Sequence, residues 1–180
     1  MKNKTEIFDL SLTLPTLEAA KEFVRSLAKL GKPILFVGGK SEARKAVRDG
    51  ASSIGMPFVD GRWIGGTLTN FVEVRKRIEK YERLMTEKEK GELAKYTKKE
   101  RLLIDREITR LETMFGGIVS MKEKPVAVFI VDPRKEYCAV KEAQDSKIPV
   151  IALMGSDCDL KAANYPIVGN DSSRSSIAFF

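Results

Sequence analysis

Apolar residues in this chain fall into short continuous runs separated by longer stretches with helical spacing. Residues 33–37 (PILFV), 126–131 (VAVFIV) and 149–154 (PVIALM) are uninterrupted apolar runs, the form expected of parallel strands covered on both faces. Ahead of the first run, Leu17, Ala20, Phe23, Val24, Leu27, Ala28 and Leu30 recur three and four apart. That spacing predicts a helix capped by Thr13, with Pro15 in its first turn and Gly31 closing it. Residues 4–10 alternate as an opening strand ending at Asp9. A second helix is expected from Glu42 to about Ile54, a short strand near Phe58 and Val59, and a further helix from Glu136 to about Ser146. Beyond Met154 the chain reads as irregular, with a short Tyr165-Pro166-Ile167 segment inside it.

The middle of the chain has a different rhythm. Phe71, Val74, Ile78, Tyr81 and Met85 form a coiled-coil-like seam, and Ile104, Ile108, Leu111 and Phe115 repeat the idea downstream. Thr97-Lys98-Lys99-Glu100 has the form of a capping box that starts the second helix, and Gly116-Gly117 ends it. Strands alternating with helices imply right-handed βαβ crossovers. The expected fold is therefore α/β: a doubly wound parallel sheet built from residues 1–70 and 116–180, with an antiparallel coiled-coil helical hairpin inserted at 71–115.

Composition narrows the function. With 180 residues, 43% of them hydrophobic, the chain suits one domain with a real core. The longest apolar run is too short to cross a bilayer and no signal-peptide pattern is visible, so a cytoplasmic protein with no membrane partner is expected. There is no histidine, and Cys138 and Cys158 stand apart with no CxxC, which removes the usual zinc sites and the usual general base. No catalytic residue, cofactor or metal is expected. A net charge of +7, from 32 basic and 25 acidic residues, favours a polyanionic partner.

Candidate chemistry concentrates around residues 58–77 (FVDGRWIGGTLTNFVEVRKR). Gly61, Gly65 and Gly66 flank Arg62 and Trp63, so a guanidinium and an indole sit on backbone that can approach a ligand closely. The same residues can equally form a structural joint, with Trp63 plugging a core and Thr69 and Asn70 leading into the next helix. Gly38-Gly39-Lys40-Ser41 looks like the end of a P-loop, but the glycine that motif needs five residues before Gly39 is Ile34. What remains is a βα turn with Lys40, Arg44 and Lys45 beside a helix N-terminus. Asp132, Asp157 and Asp159 fall near strand ends, where a nucleotide or Mg²⁺ would bind if this were an enzyme; caps and turns are their commoner use.

Residues 61–71 (GRWIGGTLTNF) resemble the hallmark of the universal small-subunit ribosomal protein two family. The similarity continues in order through ILFVGGK at 34–40, TKKE at 97–100, Leu111-Glu112 before Gly116-Gly117-Ile118, FIVDPRKE at 129–136, Ile148-Pro149, and YPI with GND at 165–171. The resemblance implies a flavodoxin-like domain with a protruding hairpin, and a noncatalytic role binding small-subunit rRNA and helping small-subunit protein one to join. Family members usually carry a preceding histidine-containing segment and a further helix after the matched region, so a reduced or incomplete form is expected here. The sequence also departs from the family pattern at residues 154–160 (MGSDCDL). On this reading Lys40, Arg44, Lys45, Arg62, Arg75, Lys76, Arg134 and Lys135 are the candidate RNA contacts, while Gly61, Trp63, Gly65, Gly66, Thr69 and Asn70 form the joint. Two other readings stand beside it: a nucleotide- or phosphometabolite-binding enzyme using the strand-end aspartates, and an interaction module whose hairpin seeks a helical partner.

Overall fold

A computed structural model describes residues 7–180. In chain order its elements are α1 (Leu10–Ala28), β1 (Ile34–Val37), α2 (Arg44–Ser53), β2 (Phe58–Val59), α3 (Phe71–Glu89), α4 (Lys98–Phe115), β3 (Ala127–Val131), α5 (Tyr137–Asp145), β4 (Val150–Met154), β5 (Tyr165–Val168) and α6 (Arg174–Phe179). The five strands form one all-parallel sheet in the order β2-β1-β3-β4-β5. This is the flavodoxin-like order, and the α/β expectation holds.

Alternate residues of each strand face opposite cores. Leu35, Val37, Val128, Ile130, Val150, Ala152 and Met154 join Trp63, Leu68, the first turns of α3, the end of α4 and α5 on one side. Ile151, Leu153 and Val131 face α1, α2 and α6 on the other. Both faces of the central strands are therefore covered, which is why they read as continuous apolar runs rather than as alternation.

Helices α3 and α4 pack against each other. Salt bridges from Lys80 to Glu107 and from Lys88 to Asp105 tie α3 to α4 running in opposite directions. Phe71, Val74 and Ile78 are buried as the spacing requires, whereas Tyr81 and Met85 are half-buried and Leu84 takes the buried place beyond them. Facing them, Ile108, Leu111 and Phe115 are buried. Thr97 and Glu100 make the expected capping box, each side chain bonding the other's backbone N–H.

Three expectations are corrected. Of the opening strand expected at residues 4–10, residues 4–6 lie outside the described residues, while Ile7, Phe8 and Asp9 form no strand and Leu10 is already helical. Asp9, not Thr13, caps α1: its carboxylate accepts from the N–H of Ser11. Thr13 lies inside the helix and donates its hydroxyl to the carbonyl of Val168, pinning α1 to β5. Finally, Tyr165-Pro166-Ile167 belongs to a true fifth strand. Pro166 is tolerated because β5 is an edge strand, where a missing N–H breaks no ladder on its free side.

Candidate functional site

The sheet order reverses between β1 and β3, and at such a point the loops leaving the two strands diverge and open a crevice at their carboxyl ends. Here the crevice has three walls. Gly38-Gly39 follows β1, residues 132–136 follow β3, and residues 61–65 cross over from β2. The resulting cleft has a volume of about 550 Å³ and carries Arg44, Arg62 and Lys135 on its walls, with Trp63, Glu136 and Cys138 between them. Its geometry depends on Gly39, because a Cβ there would lie 2.3 Å from the Gly61 carbonyl oxygen and drive the two loops apart.

Two glutamates hold the walls in place. Glu136, 6% exposed, accepts the Gly39 N–H at 3.1 Å, so a carboxylate from the protein itself occupies the position where the β1 turn would offer an N–H to a phosphate. Burial pushes its carboxyl above the ordinary value, although the Gly39 bond and Lys135 partly oppose this. Glu142, six residues along on α5, is the hub of the neighbouring loop. Its Oε1 accepts from Trp63 Nε1 at 2.9 Å and Gly66 N at 2.8 Å; its Oε2 accepts from Leu68 N at 3.0 Å and from the N–H and hydroxyl of Thr69 at 3.3 and 3.2 Å. Burial works to raise this carboxyl, but the bonds from Trp63 and from the Leu68, Gly66 and Thr69 backbone outweigh it and hold Glu142 below the ordinary value. The loop curls around the carboxylate because Gly66 adopts φ +92°, open to glycine and strained for other residues.

The eight basic candidates divide in half. Lys40 is claimed internally: its ammonium lies 3.0 Å from Asp132, 3.1 Å from the Ser172 hydroxyl and 3.7 Å from Asp171. Burial alone would lower its pKa, but the two aspartates more than offset this and raise it. Arg75 bonds the Val119 carbonyl and pairs with Glu79 and Glu82. Lys76 pairs with Glu73, and Arg134 with Asp157. Arg44, Lys45, Arg62 and Lys135 are exposed with no carboxylate partner among the described residues, and three of these four line the cleft.

The joint residues separate as well. Trp63 is buried with its indole N–H bonded to Glu142, and Gly66 and Thr69 bond the same carboxylate. Asn70 occupies the N-cap position of α3 but its side chain makes no capping bond. Glu142 itself is missed by sequence reasoning, since nothing in AVKEAQD distinguishes it from a solvated helix residue. The strand-end aspartates are spent on protein contacts. Asp132 pairs with Lys40, Asp157 with Arg134, and Asp159 caps a short turn at residues 160–162 through the Lys161 N–H. Asp132, Asp171 and the Cys158 thiol do lie within 4.8 Å of one another, with the Lys40 ammonium against both carboxylates.

Comparison with known proteins identifies a family for this chain. The family described as Ribosomal protein S2 matches residues 1–180. Relatives named "Small ribosomal subunit protein uS2" include one from Sulfurimonas denitrificans, 44% identical over 97% of this chain and 67% of its own length. Others come from Acidothermus cellulolyticus, 42% identical over 98% of this chain, and Mycobacteroides abscessus, 41% identical over 98%. The chain spans 65% and 64% of the length of those last two. With its whole length matched, the chain belongs to the ribosomal protein S2 family.

Proposed function

We propose that this protein is a noncatalytic constituent of the small ribosomal subunit, acting in translation by binding small-subunit rRNA and neighbouring ribosomal proteins. The observation that carries this reading is membership of the family over the full chain, together with relatives each named for the small subunit. The surface is compatible: a net charge of +7 and three cations gathered in one cleft with no ion pair among the described residues suit phosphate contacts made without reading bases. Small-subunit protein one is the neighbour expected to depend on it, and the cytoplasmic or organellar ribosome is its expected location. Among the described residues no helix is long and apolar enough to cross a membrane.

The enzyme reading loses its chemical basis. A phosphate at the β1 turn would meet Glu136 on the Gly39 N–H, and Lys40 is already neutralised by two aspartates. The reading as a ribosomal component is tested by gradient sedimentation of the tagged protein from cell lysate, and by filter binding of the purified chain to small-subunit rRNA across a salt series. Migration with the small subunit and an affinity that falls linearly in log salt are expected. Affinity flat in salt, or equal for unrelated RNA, overturns the proposal.

A further inference from the structure

We infer that the cleft between β1 and β3 is a seat for a backbone phosphodiester of RNA, held by Arg44, Arg62 and Lys135. The inference rests on the rRNA-binding reading above and names the surface that would perform it.

The first argument is the sorting of charge. Of the five candidate cations outside the cleft, Lys40, Arg75, Lys76 and Arg134 are matched by carboxylates and only Lys45 is not; within it, Arg44 donates its Nε to the Gly39 carbonyl at 3.1 Å, which orients the guanidinium without neutralising it. In the cleft three cations converge with no ion pair among the described residues, from the start of α2, the loop after β2 and the turn after β3. Like charges brought together in a concavity repel one another and focus a positive potential, and an anion relieves that repulsion. Two of the three are arginines, whose planar forks match phosphate oxygens.

The second argument concerns which anion. Glu136 places a buried carboxylate at the base of the cleft and uses the Gly39 N–H. A terminal phosphate monoester, with close to two negative charges, would have to approach that carboxylate and would find this backbone donor taken. A diester carries one charge and passes along the rim, where the guanidinium and ammonium groups are. Trp63 is buried and its N–H is spent on Glu142, so the indole offers no free platform for a base. The seat therefore reads backbone, not sequence. Its walls are preorganised by the Gly39 to Gly61 approach and by the five bonds to Glu142.

The experiment uses the full chain and small-subunit rRNA in a salt series. Arg62→Ala and Lys135→Ala are each expected to lower the log–log salt slope by about 0.7 to 0.9, the contribution of one phosphate contact, and to weaken binding several-fold at ~0.15 M salt. Arg62→Lys retains the slope. Lys124→Ala removes the same charge from an exposed loop ahead of β3, at the amino-terminal end of the strands and so away from the cleft, and leaves both quantities unchanged. Thermal unfolding of each variant at the parent's midpoint confirms that the fold is kept. If the parent binds rRNA and the cleft variants keep its slope, the seat is overturned while the ribosomal reading stands. If the parent shows no salt-dependent rRNA binding, both fall. Inorganic phosphate is expected to displace RNA no better than chloride at equal ionic strength, and selective displacement would identify a small-phosphate pocket instead.

Discussion

At the scale of single residues, Glu136 and Glu142 make opposite predictions for the same substitution. Both oxygens of Glu142 are acceptors, and an amide keeps one acceptor while turning its NH₂ toward donors already in place. Glu142→Gln should therefore cost about 1–3 kcal/mol, read in urea unfolding by the fluorescence of Trp63, the single tryptophan. Because the folded carboxyl is held below its ordinary value, the stability it contributes is complete above the unfolded pKa and is lost as pH falls through the folded one. Glu136 accepts one N–H, which glutamine also can, and burial raises its carboxyl, so the linkage reverses: stability declines as pH rises from the unfolded toward the folded pKa. Glu136→Gln should leave stability at neutral pH within about 0.5 kcal/mol of the parent, or raise it, and abolish that decline. Neither role was legible in the sequence. The donors that define Glu142 lie more than 70 positions upstream, and a carboxylate on an amphipathic helix looks the same whether it faces water or a ring of N–H groups. The basic candidates show the same limit: sequence counts cations, while tertiary structure decides which of them meet a carboxylate.

At the scale of elements, the Gly116-Gly117 pair shows why a glycine signal is legible as punctuation but not as mechanism. The pair was expected to end α4, and α4 does end at Phe115 with Gly116 as its C-cap at φ −53°, a short 3₁₀ turn running on through residues 116–118. The constraint sits on Gly117, whose Cβ would lie 2.2 Å from the Phe58 carbonyl oxygen where the chain passes under β2. Backbone cannot yield there as a flexible side chain could. Gly117→Ala should cost about 3 kcal/mol, at the upper end for overpacking, whereas a Cβ at Gly116 meets only Glu112 Cγ at 3.7 Å and Gly116→Ala should stay within about 0.5 kcal/mol. Chemical denaturation of the two neighbours measures the contrast. The central strands were legible because burial on both faces demands continuous apolar runs. The edge strand β5 was hidden because its four residues include a proline and its packing is one-sided.

At the scale of the molecule, the question is whether the hairpin is a separate body or part of one core. Residues 71–115 were expected to be an insertion, but the buried cluster that includes Val37, Val128 and Met154 continues without interruption through Trp63 and Leu68 into Phe71, Val74, Ile78, Ile108, Leu111 and Phe115. Glu142 adds a polar tie, joining α5 to the loop that launches α3. We propose that the base of the hairpin is structural and that the distal part alone can be removed. Replacing residues 82–104 with a short Gly-Ser turn keeps all six of those hairpin residues and should preserve cooperative unfolding, at a modest loss from removing Leu84 and Leu93. Replacing all of 71–115 strips the cover from Trp63, Leu68 and Ile118. Losing several fully buried side chains at roughly 2–5 kcal/mol each exceeds the 5–15 kcal/mol that stabilises a domain of this size. The long deletion should therefore show exposed Trp63 fluorescence and no cooperative transition, while the short one retains both the parent's emission and its transition. A long deletion that unfolded cooperatively near the parent's midpoint would instead mean that the hairpin and the sheet are independent modules, with the shared cluster contributing little to either.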